Sequence, residues 1–117
     1  GRIHGDSLDS QTDLLGIIAT IQAFDTIRNC VLVMEVHDAV TDTVIQWYGN
    51  SNESGTLLPG TNTLAYAIRF NPEKNPIRGK KVKTFLWDKQ KGTMIVTRLD
   101  YYFTKFNSRL TGLLEPL

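Results

Sequence analysis

From Leu15 to Phe106 apolar residues recur at every second position in short runs, separated by turn-forming residues, and no run carries the 3.6-residue period of an amphipathic helix. A period of two belongs to strands that bury one face and wet the other, so the pattern predicts an all-β domain. Six to eight such runs are expected to fold as an antiparallel β-sandwich, immunoglobulin-like or jelly-roll.

The first strand is predicted over residues 14–24, with Leu15, Ile17, Ala19, Ile21 and Ala23 on one face and Ile18, Thr20, Gln22 and Phe24 on the other. Both faces are partly apolar, which suits a central strand or an edge that something covers. Residues 25–29 read as a turn. The next strand, 30–37, places Cys30, Leu32, Met34 and Val36 inward, with Val31, Val33, Glu35 and His37 opposite. A five-residue link, 38–42, then leads into residues 43–48 and predicts an antiparallel hairpin. Gly, Asn and Ser make 49–55 an exposed loop, and Pro59-Gly60 has the residue order of a type II turn. Over 63–70, Leu64, Tyr66, Ile68 and Phe70 face away from Ala65, Ala67 and Arg69. Two prolines and two asparagines mark 71–79 as a surface loop. Strands follow at 80–88 and 93–106, joined by Lys89-Gln90-Lys91-Gly92, and the length of the second predicts a bulge or bend near 98–100.

The ends differ from this middle. Residues 1–13 are polar and aperiodic and read as a flexible arm that orders against a partner. The tail, 107–117, carries Leu110, Leu113, Leu114 and Leu117 beside Gly112 and Pro116, and is expected to cap the open end of the sandwich or dock on a neighbour. The chain begins at Gly1, as a processed, excised or tagged product would.

Composition narrows the functions. At 117 residues and 41% hydrophobic, the chain fills the core of one ordinary domain. Thirteen basic and twelve acidic residues leave a net charge of +1, too little for the broad attraction that nucleic acid or an anionic membrane exerts. No run approaches the roughly 20 apolar residues of a bilayer span, which predicts a soluble chain. Cys30 is the one cysteine, so no internal disulfide forms, and its apolar run reads as a small buried side chain.

Candidate chemistry is sparse. Glu35 and His37 share a strand face beside Asp38, but a metal or proton-transfer site needs a further ligand from elsewhere; a solvated polar face is the plain reading. His4, Asp6, Asp9 and Asp13 lack the spacing of a calcium loop. There is no G-x-S-x-G elbow and no glycine-rich phosphate loop, so neither catalysis nor a nucleotide, metal or other cofactor is expected. Asn52-Glu53-Ser54 fits a glycosylation sequon. Arg78, Lys80, Lys81, Lys83, Lys89 and Lys91 surround Phe85 and Trp87, an arrangement that serves an acidic polymer or protects a sheet edge. Trp47 and Tyr48 are adjacent and so face opposite ways, as do Tyr101 and Tyr102. Trp47, Tyr48, Phe85, Trp87 and Tyr101 are the candidate ligand-binding residues, since flat rings on a sheet suit sugar faces and subunit interfaces alike.

Two stretches resemble known families. Val82-Lys83-Thr84-Phe85-Leu86-Trp87-Asp88 resembles a late strand in small β-modules of secreted and cell-surface proteins of Gram-positive bacteria. The order of a 31–38 strand, a hairpin to Ile45-Gln46-Trp47, a Leu58-Pro59-Gly60 turn and the alternating Tyr66, Ile68 and Phe70 is similar to immunoglobulin-like domains such as the polysaccharide-binding module of O-antigen exporters. The resemblance implies a β-sandwich used for binding or display. The reading is thus a non-enzymatic structural or interaction module, homo-oligomeric or docked on partner chains, at an extracellular or particle surface. The alternatives are a carbohydrate-binding module and a viral or phage coat element.

Overall fold

The computed structural model describes residues 2–3, 7–8, 14–50, 55–69, 80–105 and 107–117. Among them the period-two runs are strands and there is no helix: β1 (Arg2–Ile3), β2 (Ser7–Leu8), β3 (Leu14–Ala23), β4 (Ile27–His37), β5 (Val44–Gly49), β6 (Gly55–Leu57), β7 (Gly60–Arg69), β8 (Lys80–Asp88), β9 (Thr93–Ile95), β10 (Arg98–Lys105) and β11 (Gly112–Pro116). Their order is β1-β10-β3-β7-β11-β5-β4-β8-β2, with β6 on β4 and β9 on β8, and the whole forms one curled sheet, a half-barrel.

Curling turns the two halves of the sheet toward each other. Leu15, Ile17, Ala19 and Ile21 of β3 meet Leu32, Met34 and Val36 of β4 in a continuous core with Ile68, Leu86, Phe103 and Leu114. The inward face of β4 is the expected one, and in β3 and β7 the more apolar of the two alternating sets turns inward. The predicted loop at 71–79, Phe70, and most of the arm and of the 49–55 loop lie outside the described residues.

Two hairpins share one turn design. After β4, the Asp38 carboxylate accepts the N–H groups of Val40 and Thr41, Asp42 has φ 59°, and Asp38 N–H donates to the Thr43 carbonyl. After β8, Asp88 accepts from Gln90 and Lys91, and Gly92 has φ 69°. A carboxylate that takes up the first two free N–H groups, then a left-handed residue, closes a tight loop between antiparallel strands.

The strands form one curled mixed sheet rather than the all-antiparallel arrangement expected, because β11 runs parallel to β7 through Gly112↔Tyr66, Leu113↔Ala67 and Leu114↔Ile68. The chain leaves β10 at the far side of β3 and returns beside β7, a crossover rather than a hairpin, so direction is kept. Gly16 permits this crossover, because a Cβ there would lie 2.9 Å from both Leu110 Cδ1 and Thr104 Cγ2. The tail then goes on to pair antiparallel with β5 through Glu115↔Gly49 and Pro116↔Tyr48. One strand therefore joins both halves of the sheet.

Other differences are local. β4 starts inside the predicted turn, with a register shift between Ile27 and Cys30 where Asn29 has φ 57°. The long last run breaks at Val96-Thr97, before the predicted bend, because β9 pairs with β8 whereas β10 pairs with β3. The Thr97 hydroxyl donates to the Gln22 carbonyl and fixes that switch. The arm's described segments pair with the chain's own β10 and β8.

At the closing strand, the Tyr66 ring lies where a Cβ on Gly112 would be. The Tyr66 hydroxyl accepts a hydrogen bond of 3.1 Å from Asn50 Nδ2, and Asn50 Oδ1 accepts Leu32 N–H at 3.0 Å. Gly112→Ala displaces this ring and is expected to destabilise the domain by about 1–3 kcal/mol, read as a lower urea midpoint with the denaturant slope unchanged.

Candidate functional site

The alternation that buries Leu32, Met34 and Val36 sends Val31, Val33, Glu35 and His37 to the outer face of β4. Across β8, Val31 faces Trp87, Val33 faces Phe85, Glu35 faces Lys83 and His37 faces Lys81. Across β5, Glu35 faces Trp47, and across β9 Trp87 faces Met94. Residues directly opposite on one face stand about 5 Å apart at Cβ, so these pairs are in contact range. Val31 and Val33 are buried although they point away from the core, in register with the Trp87 and Phe85 side chains. Phe85 and Trp87 meet edge to face, with ring centroids 6.3 Å apart and planes at 67°. Trp47 and Ile45 remain 46% exposed and Met94 48%, leaving an apolar sheet face open to solvent.

A polar line crosses this face. The Trp47 indole Nε1–H donates to Glu35 Oε2 at 2.9 Å, and Glu35 Oε1 lies 3.1 Å from His37 Nε2. On the other side of the imidazole, Nδ1 lies 3.2 Å from the Asp42 carbonyl and 3.4 Å from Asp42 Oδ1. Both ring nitrogens thus face acceptors, an environment that favours the doubly protonated ring. The His37 pKa is raised, chiefly by the hydrogen bond to the Asp42 backbone; burial opposes the rise, and Glu35 and the Asp42 carboxylate support it. Among the described residues no set of three His, Cys, Asp or Glu side chains is placed to hold a metal ion.

Of the five candidate residues, Trp47, Phe85 and Trp87 share this face, both aromatics of β8 being outward. Two do not belong to it. Tyr48 is fully buried in the core because it has the parity opposite to Trp47. Tyr101 packs on the core from the inner face of β10, edge-on to Phe103 with centroids 5.8 Å apart. Cys30 is buried, and its thiol is pushed up to about 11, first by burial and then by Asp88, as fits an unreactive side chain. The Asn52 sequon, the arm carboxylates Asp6, Asp9 and Asp13 with His4, and Arg78 lie outside the described residues. Sequence alternation placed Glu35 and His37 together but did not join Trp47 to them. The signal was the hairpin register, which sets residue 35 opposite 47. Comparison with protein families, with curated proteins and with solved structures finds no match for this chain.

The raised His37 pKa has a defined consequence. Its stabilisation is full below the ordinary value of 6.5 and is lost as pH rises through the higher native pKa. Urea unfolding is therefore expected to give a higher free energy near pH 5.5 than near pH 8.5, and His37→Gln is expected to flatten that difference.

Proposed function

We propose that the domain is a non-enzymatic interaction module that associates with a second copy of its own chain through the outer face of β5, β4 and β8. The observation that carries this reading is the joint display of Trp47, Phe85 and Trp87 with Ile45 and Met94 on one sheet face. Exposed apolar side chains gathered on one face favour a partner that covers them. A net charge of +1 supports the choice of partner, since two copies scarcely repel.

The strand pairing supports an immunoglobulin-like sandwich over a jelly-roll. β3 pairs with β7 as strand B does with E, β4 with β8 as C does with F, and β9 lies on β8 as G does on F. β10 takes the place beside β3 that strand A usually holds.

A second reading is carbohydrate binding, favoured by one detail: the Trp47 ring is held in place by Glu35, with an imidazole next to it. An oriented indole beside polar groups suits the mixed apolar and hydroxyl face of a sugar ring.

Sedimentation velocity over a range of concentrations decides between them. The wild-type chain is expected to associate, and Trp47→Ser with Met94→Ser to weaken association about tenfold or more. Association that both variants leave unchanged overturns the first reading. A monomer whose tryptophan emission shifts on adding polysaccharide establishes the second.

A further inference from the structure

We propose that one end of the sheet, formed by residues 23–28, 58–60 and 96–98, docks on an anionic lipid bilayer: Phe24, Leu58 and Val96 enter the interface, and basic side chains beside them meet the headgroups. β3 lies between β10 and β7 in the sheet. Its last pairs are Gln22 with Arg98 of β10 and Ala23 with Gly60 of β7. Phe24, Val96 and Leu58 therefore stand one or two residues beyond the paired rows of three adjacent strands. Neighbouring strands are roughly 5 Å apart, which gathers the three positions at one end. Phe24 is 94% exposed, Val96 93% and Leu58 63%.

Polar anchors hold two of these tips in place. The Asn62 side chain accepts Leu58 N–H and donates to the Leu58 carbonyl, and the Thr97 hydroxyl, next to Val96, donates to the Gln22 carbonyl. A side chain that lines a groove is partly covered by its walls, whereas Phe24 and Val96 protrude almost bare. They present no concave surface for a protein partner to fill. A fluid lipid interface conforms to protruding apolar side chains and takes them up singly. Tips that are already fixed lose little conformational freedom when they dock.

Charge selects the lipid. Lys89 N–H donates to the Asn29 carbonyl and Asn29 Nδ2 donates to Gln90 Oε1, so the turn between β8 and β9 lies against the start of β4 at this same end. Exposed Arg28 of β4 and Lys91 of that turn are thereby brought to the end that carries Phe24. Among the carboxylates there, Asp88 accepts the N–H groups of Gln90 and Lys91, and Asp100 pairs with Arg98 at 3.3 Å, which sets Asp25 against Arg28 and Lys91. At the opposite end of β4, Val40 is equally bare at 93% but stands in a turn between Asp38 and Asp42, whose charges repel an anionic surface. An overall charge of +1 supplies no broad attraction, so the contact depends on the charges at the docking end, and the domain lies on the bilayer without spanning it.

The test is cosedimentation of the full chain with vesicles made of phosphatidylcholine and phosphatidylserine in equal parts. The chain is expected to bind them, to bind pure phosphatidylcholine about tenfold more weakly, and to come off in added salt. Phe24→Ser with Val96→Ser is expected to weaken binding about tenfold or more, and Arg28→Glu with Lys91→Glu to do the same, while Val40→Ser binds as wild type. These positions are exposed, so the urea midpoints are expected to stay unchanged. Phe24→Trp is expected to add emission that brominated acyl chains quench. Failure to bind the mixed vesicles overturns the proposal, as does equal binding to pure phosphatidylcholine or wild-type binding by the paired serine variant. Loss of self-association by that variant in the absence of vesicles overturns it in favour of a protein interface.

Discussion

The curl of the sheet depends on the contact between the Tyr66 ring and the bare backbone at Gly112. β11 has three residues parallel to β7 and two antiparallel to β5, so it has to lie close under the ring as it passes between the halves. With the strand there, the Tyr66 hydroxyl reaches Asn50, whose amide oxygen takes the buried N–H of Leu32. A ring, an amide and a backbone donor thus tie β7 to β4 across the closing strand. Turned inward by this closure, Leu15, Ile17 and Ile68 share a core with Leu32, Met34 and Leu86. The aromatic outer face is the other side of the same event, because the residues of opposite parity have nowhere else to go.

The inner and outer parities were legible because they are local. A strand's alternation needs no knowledge of its neighbours, and Leu15, Ile17, Ala19 and Ile21 lie inward as their spacing implies. The hairpins at 38–42 and 89–92 were legible for the same reason, each being a short link between two alternating runs. The parallel pairing of β11 was not. It rests on Gly16 under Leu110 and Gly112 under Tyr66, contacts between residues some tens of positions apart whose types alone give no hint of each other. The switch at Val96-Thr97 is similar: the run keeps its apolar alternation while changing partner from β8 to β3, and alternation carries no information about the partner.

The candidate site shows the same division at smaller scale. That Glu35 and His37 share a face follows from their spacing, and that Trp47 and Tyr48 lie on opposite faces follows from adjacency. Which of the two rings points outward depends on the hairpin register, and that register is set by the loop in which Asp38 binds Val40 and Thr41. The loop also supplies Asp42, whose carbonyl holds the far side of the His37 ring. One turn thereby fixes the position of Trp47, the acceptors around His37 and the direction of its pKa shift.

β8 divides its residues between two surfaces. Its inward residues, Val82, Thr84 and Leu86, are buried; its outward ones, Lys83, Phe85 and Trp87, belong to the open sheet face. The lysines discourage edge pairing between two copies, yet they leave the rings beside them uncovered. Because repulsion between like edges acts along the strand and apolar attraction acts normal to the sheet, the same residues that oppose sideways growth of the sheet are compatible with face-to-face association.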